Sequence, residues 1–225
     1  MLLAMSGGDP ALEEGWVDRV LAREFPELRL VSVLAPAPGR RTPSALRERL
    51  GLLADRFHGA RALTLRREAV PHAYRVFFRH VGLDPDAQRT PVEAAALDRL
   101  VHGGFVSRGP LEDALLVAVV ETGVPVWALD DARVDGPLGL RTARGGERLG
   151  EGEYAADLPP GRVVVADAAA PVAVLFGDVA PSRAPGRGTT SLRLFAVAVA
   201  GVPALHVEEA LFGCADALTE ARGAR

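Results

Sequence analysis

The stretch LEDALLVAVVETGVPVWALDDARVDGPLGLRTARGGE, residues 111–147, decides how the rest of the chain is read. After Asp113, residues 114–120 are wholly apolar. The run from 111 to 120 is too short to span a membrane and long enough for a buried helix. Gly123 and Pro125 end it, because Gly frees the backbone and Pro removes a donor. Residues 124–129 then read as a short buried strand. Asp130, Asp131, Gly136 and Pro137 mark a turn. Residues 138–141 form a second strand, and Gly145 and Gly146 close the unit.

Toward the C-terminus, a polar loop reaches Pro160. Strands are expected at 162–166 and 171–176, followed by a long Pro/Gly/Arg loop over 177–188. Thr189 and Thr190 open a strong strand candidate at 192–199, and 206–218 is a closing helix. Toward the N-terminus, Thr90 before Pro91, with Glu93 three residues after Thr90, spells a capping box. The helix it starts would bury Ala94, Leu97, Leu100 and Val101. From Pro71 an aromatic helix presents Tyr74, Phe77, Phe78 and Val81 on one face, with Arg75 and Arg79 beside them, and Gly82 ends it. Further out, Asp9 and Pro10 cap a helix carrying Leu12, Trp16, Val20 and Leu21. Residues 28–34 alternate as a strand. Thr42 and Pro43 cap a helix with Leu46, Leu50, Leu53 and Phe57 on one face. The front segment carries no motif and is expected to add its strand and helices to the edge of the main unit.

Many strands, few regular strand–helix alternations and helices at the ends argue an α+β fold on a mixed or antiparallel sheet. At 225 residues, a single domain over 1–225 is the expectation, with 1–70 as an N-terminal extension packed on a core at 71–218. Hydrophobic residues make up 48% of the chain, which fits a globular protein with a self-sufficient core. The single cysteine, Cys214, excludes an internal disulfide and a cysteine-based zinc site, and reads as a small buried residue on a helix. No apolar run reaches about 18 residues and no basic-then-apolar leader is seen, so no membrane span is expected and the cytoplasm is the expected compartment.

Net charge is −3, which argues against indiscriminate coating of nucleic acid. The distribution is uneven: residues 1–60 are neutral, 61–108 carry +3 and 109–225 carry −6. All 26 basic residues are Arg. Arg75, Arg79, Arg89, Arg99 and Arg108 admit two readings. One is a phosphate-contacting face. The other is a solvated face paired with Asp84, Asp86 and Asp98. Common catalytic motifs are missing: there is no G-x-S-x-G, no G-x-x-x-x-G-K-[ST] and no G-x-G-x-x-G after a strand. His206 and Glu209 have the spacing of a helical metal pair, but with Glu208 they read as cap and dipole partners. No metal or other cofactor is expected.

One resemblance covers roughly residues 74–195. The helix carrying Asp113, the turn with Glu121, Gly123 and Pro125, the strand end Ala128-x-Asp130, then Gly136, Arg141 and the pair Gly146-Glu147 resemble the B-three/B-four domain of the phenylalanyl-tRNA synthetase beta subunit. The later block VVVADAAAPVAVLFGD, 163–178, is similar to that domain's second conserved stretch. The order of residues from Tyr74 to Arg99 resembles solo members of the family, which carry the domain without a synthetase around it. The resemblance implies a β-sandwich-like core with flanking helices. It also implies binding of an aminoacyl-tRNA, with hydrolysis of a mischarged ester in trans as the activity. A non-catalytic RNA or amino-acid binding module of the same fold is the alternative. By the same resemblance the substrate pocket comprises Trp127, Asp130, Ala173, Leu175, Phe176, Gly177, Asp178, Thr189 and Thr190, and the tRNA contacts are Arg75, Arg79, Arg89 and Arg99. An activated ester needs little beyond a pocket that positions water, so no catalytic residue is assigned. Three positions depart from the family pattern: Trp127 stands for a pocket His, Leu116 for an Asn, and Asp178 for a Gly. No synthetase ATP site is visible, so ligase activity is not expected.

Overall fold

The computed structural model describes residues 11–57 and 64–223. Its strands and helices follow one another as β1 (Glu13–Glu14), β2 (Trp16–Val17), α1 (Arg19–Glu24), β3 (Arg29–Pro36), α2 (Ser44–Arg56), α3 (Ala69–His80), α4 (Pro91–His102), α5 (Pro110–Thr122), β4 (Val126–Asp130), β5 (Gly139–Thr142), β6 (Arg148–Leu149), β7 (Ala156–Asp157), β8 (Val163–Ala166), β9 (Pro171–Val174), β10 (Ser191–Ala198) and α6 (Ala204–Gly223). The class is α+β, with mixed and antiparallel sheets and flanking helices. One four-stranded sheet runs β1-β3-β10-β4, all antiparallel. A second runs β2-β5-β8-β9, with β2 parallel to β5 and the rest antiparallel. A small β6-β7 hairpin completes it. Residues of both four-stranded sheets share one apolar core with α2, α3, α5 and α6.

The stretch 111–147 folds as its pattern dictates. Pro110 sits at the first position of α5, where its missing N–H costs nothing. Gly123 ends the helix in the left-handed conformation, φ +76°. Asp113 is buried, and its carboxylate accepts from the Thr42 and Ser107 hydroxyls (2.6 and 2.5 Å) and the Arg108 N–H (2.9 Å). Thr42 is thus spent on α5, and the start of α2 has no side-chain cap. The capping box at Thr90 and Glu93 is present as the sequence spells it.

Two expectations change. The helix expected from Asp9 starts only at Arg19, where the Asp18 carboxylate accepts from the Val20 N–H (2.9 Å); Asp9 and Pro10 lie outside the described residues. Residues 13–17 are extended instead, because both strand edges were open: β1 adds to β3 and β2 adds to β5. The front segment lays β3 along the side of β10 away from β4, with β1 outside it. Secondly, α4 buries Val92 and Ala96, while Ala94, Leu97, Leu100 and Val101 are exposed. Ion pairing of Glu93 to Arg75 on α3 turns the helix away from the face that its apolar spacing suggested.

Gly139 is required by close approach. A Cβ there would stand 2.0 Å from Trp16 Cδ2 and 2.5 Å from the Trp16 carbonyl oxygen. The Trp16 indole N–H also donates to the Pro137 carbonyl (3.1 Å), which holds the ring over the glycine. Gly139→Ala should therefore destabilise the protein by about 1–3 kcal/mol, read as a lowered urea midpoint. The clash with a backbone oxygen cannot be relieved by rotating the ring, so an unchanged midpoint would contradict this account of the β2-β5 pair.

Arg141 and Glu147 close the β5 turn through a two-pronged ion pair, 2.7 and 2.8 Å, to which the Arg144 N–H adds a 2.7 Å bond. The Arg141 hydrogen bond, aided by the Arg144 N–H and opposed by burial, holds the Glu147 carboxyl below its ordinary value. A depressed carboxylate stabilises the fold above the ordinary value, and the contribution is lost as pH falls through the lowered one. Urea unfolding at neutral pH and below about pH 4 should show a smaller acid loss for Glu147→Gln than for the parent. Equal losses would remove this pair from the acid response.

Candidate functional site

Asp130 ends β4 and Thr189 lies two residues before β10. The ladder fixes both, because Leu192 of β10 is the direct register partner of Asp130. The Thr189 hydroxyl donates to Asp130 Oδ2 (2.8 Å) and accepts from the Gly186 N–H (2.9 Å). Asp130 is buried, accepts from the Ala132 N–H (3.3 Å) and stands 3.3 Å from the Arg133 guanidinium. Its own N–H donates to the Arg183 carbonyl (2.9 Å). The pair thus pins the loop before β10 onto the end of β4.

Beside Thr189 opens a cleft of about 590 Å³, within the range of small-ligand sites. One wall is Ala37, Pro38, Gly39 and Arg40; the other is Pro185, Gly186, Arg187 and Thr189. Leu111, at the second position of α5, and Leu192 form the floor. The two walls diverge from a joint where the Ala37 N–H donates to the Thr190 carbonyl (3.1 Å). The cleft lining holds no carboxylate, imidazole or thiol. Nothing in it can serve as a general base, so any chemistry on a bound ester would come from a positioned water.

The expected pocket does not form as one cavity. Successive side chains along a strand point to opposite faces, so Trp127 and Asp130 lie on opposite sides of the sheet. Trp127 stacks on Phe195, its register partner (5.7 Å between centroids), and packs on Phe176 (5.8 Å). Phe176 further meets Tyr74, Phe77 and Phe78 of α3. Aromatic rings occupy this side, with Ala173 and Leu175 buried around them. Gly177 and Asp178 belong to the tight turn after β9, where the Val174 N–H donates to the Asp178 carbonyl (3.0 Å). Asp178 and Thr190 are exposed. Leu116 borders a different cleft, between α5 and α4, with Ala94, Ala95 and Val106.

The expected tRNA contacts also separate. Arg75 is buried and held by Asp86 and Glu93, both at 2.6 Å. The Arg99 guanidinium donates to the Ala54 carbonyl and ties α4 to α2. Arg79 stands 3.8 Å from Asp86, and Arg108 pairs with Asp98. Arg89 is exposed, without a partner among the described residues. Arg40 and Arg187 were missed by sequence reading, since each sits in a Pro/Gly-rich loop with no motif around it.

Among the described residues, no group of three or more His, Cys, Asp or Glu is placed to hold a metal. Burial pushes the Cys214 thiol up to about 12, which leaves it no thiolate character near neutral pH. No described helix is long and apolar enough to cross a membrane.

No protein-family model matches the chain, and no curated protein matches it. A solved structure that does match is an N-terminal fragment of the phenylalanyl-tRNA synthetase beta subunit from Pyrococcus horikoshii, 14% identical over 92% of this chain, with a TM-score of 0.44. The chain covers 48% of that fragment, about half its length.

Proposed function

We propose that the protein binds the end of an RNA, an aminoacyl-tRNA in the form implied by the sequence resemblance, at the cleft beside Asp130 and Thr189. The observation that carries this reading is the Asp130–Thr189 hydrogen bond on the rim of an open cleft whose only charged side chains are two arginines. Asp130 belongs to the first resembling block and Thr189 follows the second, so residues distant in sequence converge at one opening. Hydrolysis in trans is the stronger form of the reading. Binding without turnover is the second, and the lining favours it, because it offers no acid or base.

The test is to measure binding and deacylation in parallel over a panel of charged and mischarged tRNAs, tyrosine on phenylalanine tRNA included. Saturable binding, weakened about fivefold or more by Thr189→Val, is the expected result. Turnover of one ester above its spontaneous rate would add the hydrolase and name its substrate. Binding with no turnover would leave the binding module. No binding to any tRNA would overturn the proposal.

A further inference from the structure

We infer that Arg40 and Arg187 form a phosphate clamp at the mouth of the cleft, with the attached nucleoside against the partly exposed Leu111 and Pro185; in its RNA form this rests on the function proposed above. The β3-β10 ladder pairs Pro36 with Ser191 and ends there. Beyond the Ala37–Thr190 joint the Thr189 N–H donates to the Gly186 carbonyl (3.1 Å), so residues 186–189 turn, and Arg40 and Arg187 come to line the same cleft. The two chains splay at this point to form the cleft walls. Neither arginine has an ion pair or hydrogen bond among the described residues, and both are exposed.

Two like charges lining one cleft repel. An anion between them reverses the sign of that interaction, and the planar guanidinium fork matches phosphate oxygens in a two-pronged geometry. Four smaller clefts among the described residues, of about 420, 250, 260 and 310 Å³, each carry at least two carboxylates in their lining, which would repel a phosphate. This one carries none. The apolar floor gives a base or sugar a surface to cover, and the glycines on both walls leave room for a backbone-width ligand. Arg40 lies in the front segment, outside the stretch 74–195 that carries the family resemblance, and Arg187 lies inside it, so the clamp joins the two parts of the chain.

The test uses the full chain with Arg40→Gln, Arg187→Gln and the double variant, and Arg23→Gln, at an exposed position of α1, as a surface-charge control. The probes are tRNA, adenosine 5′-monophosphate and adenosine. Each clamp variant should weaken tRNA binding about tenfold and reduce the slope of log K against log salt by about 0.7. Adenosine 5′-monophosphate should compete and adenosine should not, while Arg23→Gln stays close to the parent. A double variant that binds tRNA and the monophosphate as the parent does would overturn the clamp and leave RNA binding standing. Monophosphate binding that needs both arginines, with no binding of tRNA, would keep the clamp for a small phosphorylated ligand and remove the RNA reading. No binding of either probe by the parent would overturn both.

Discussion

Phe176→Ala should destabilise the protein by about 3–5 kcal/mol, the usual cost of deleting a buried aromatic ring. Phe176 is 8% exposed and its ring touches four others: Phe78 stacked at 4.9 Å, Tyr74 and Phe77 edge-on at 5.6 and 6.0 Å, and Trp127 at 5.8 Å. It holds this place with φ at +56°, a left-handed backbone that costs a residue with a Cβ about 1–2 kcal/mol. The packing must outweigh that strain. Alanine keeps the strain and loses the ring, whereas glycine loses both. The order of stability should therefore be parent, then Phe176→Gly, then Phe176→Ala, with the last two about 1 kcal/mol apart. Urea unfolding of the three proteins checks it. Alanine equal to the parent would mean that the cluster contributes nothing, and glycine at or below alanine would mean that the backbone there is unstrained.

Arg75→Ala should be comparably damaging, by about 3 kcal/mol, because it strands a carboxylate inside the structure. Burial alone would lower the Arg75 pKa; the Asp86 hydrogen bond and the Glu93 charge outweigh it and hold the guanidinium above its ordinary value. The partners differ. The Glu93 side chain is only 12% exposed, whereas that of Asp86 is 62% exposed. Most of the loss should therefore come from Glu93, and Asp86→Asn alone should leave the urea midpoint close to that of the parent. A double-mutant cycle makes this decisive: adding Glu93→Gln to Arg75→Ala should recover part of the loss. Strict additivity of the two substitutions would show that the pair is not coupled.

Local patterning was enough to find most of the elements. The apolar run of α5 with Pro110 and Gly123 at its ends, the Thr90–Glu93 box, and the apolar run of β10 after two threonines each name their own conformation. What the sequence did not show are relations between elements. The Glu93–Arg75 pair, 18 residues apart, decides which side of α4 is buried, and helical spacing alone pointed to Leu97 and Leu100. Residues 13–17 carry a helix-like apolar spacing yet become strand, because two sheet edges are there to receive them. For the site, a resemblance copied residue by residue placed Trp127 and Asp130 in one pocket. The period of a strand already forbids that for positions an odd number apart on an unbulged β4, so this part of the answer was legible. The cleft between Arg40 and Arg187 was not, since it joins two loops far apart in sequence that meet only where the β3-β10 ladder ends.

The ladder between β3 and β10 also sets the order of events when the protein is made. β3 leaves the ribosome early, carrying the buried residues Leu30, Val33 and Ala35, yet its long-range partner emerges only with residues 191–198. At ordinary rates of synthesis, roughly ten to thirty seconds separate the two. During that time a strand with apolar side chains and open backbone groups waits in the growing chain, where it is a template for misplaced pairing. Closure of the main sheet is thus a late, single event, and any nascent chain halted before residue 198 is a candidate for chaperone capture rather than a partly built protein.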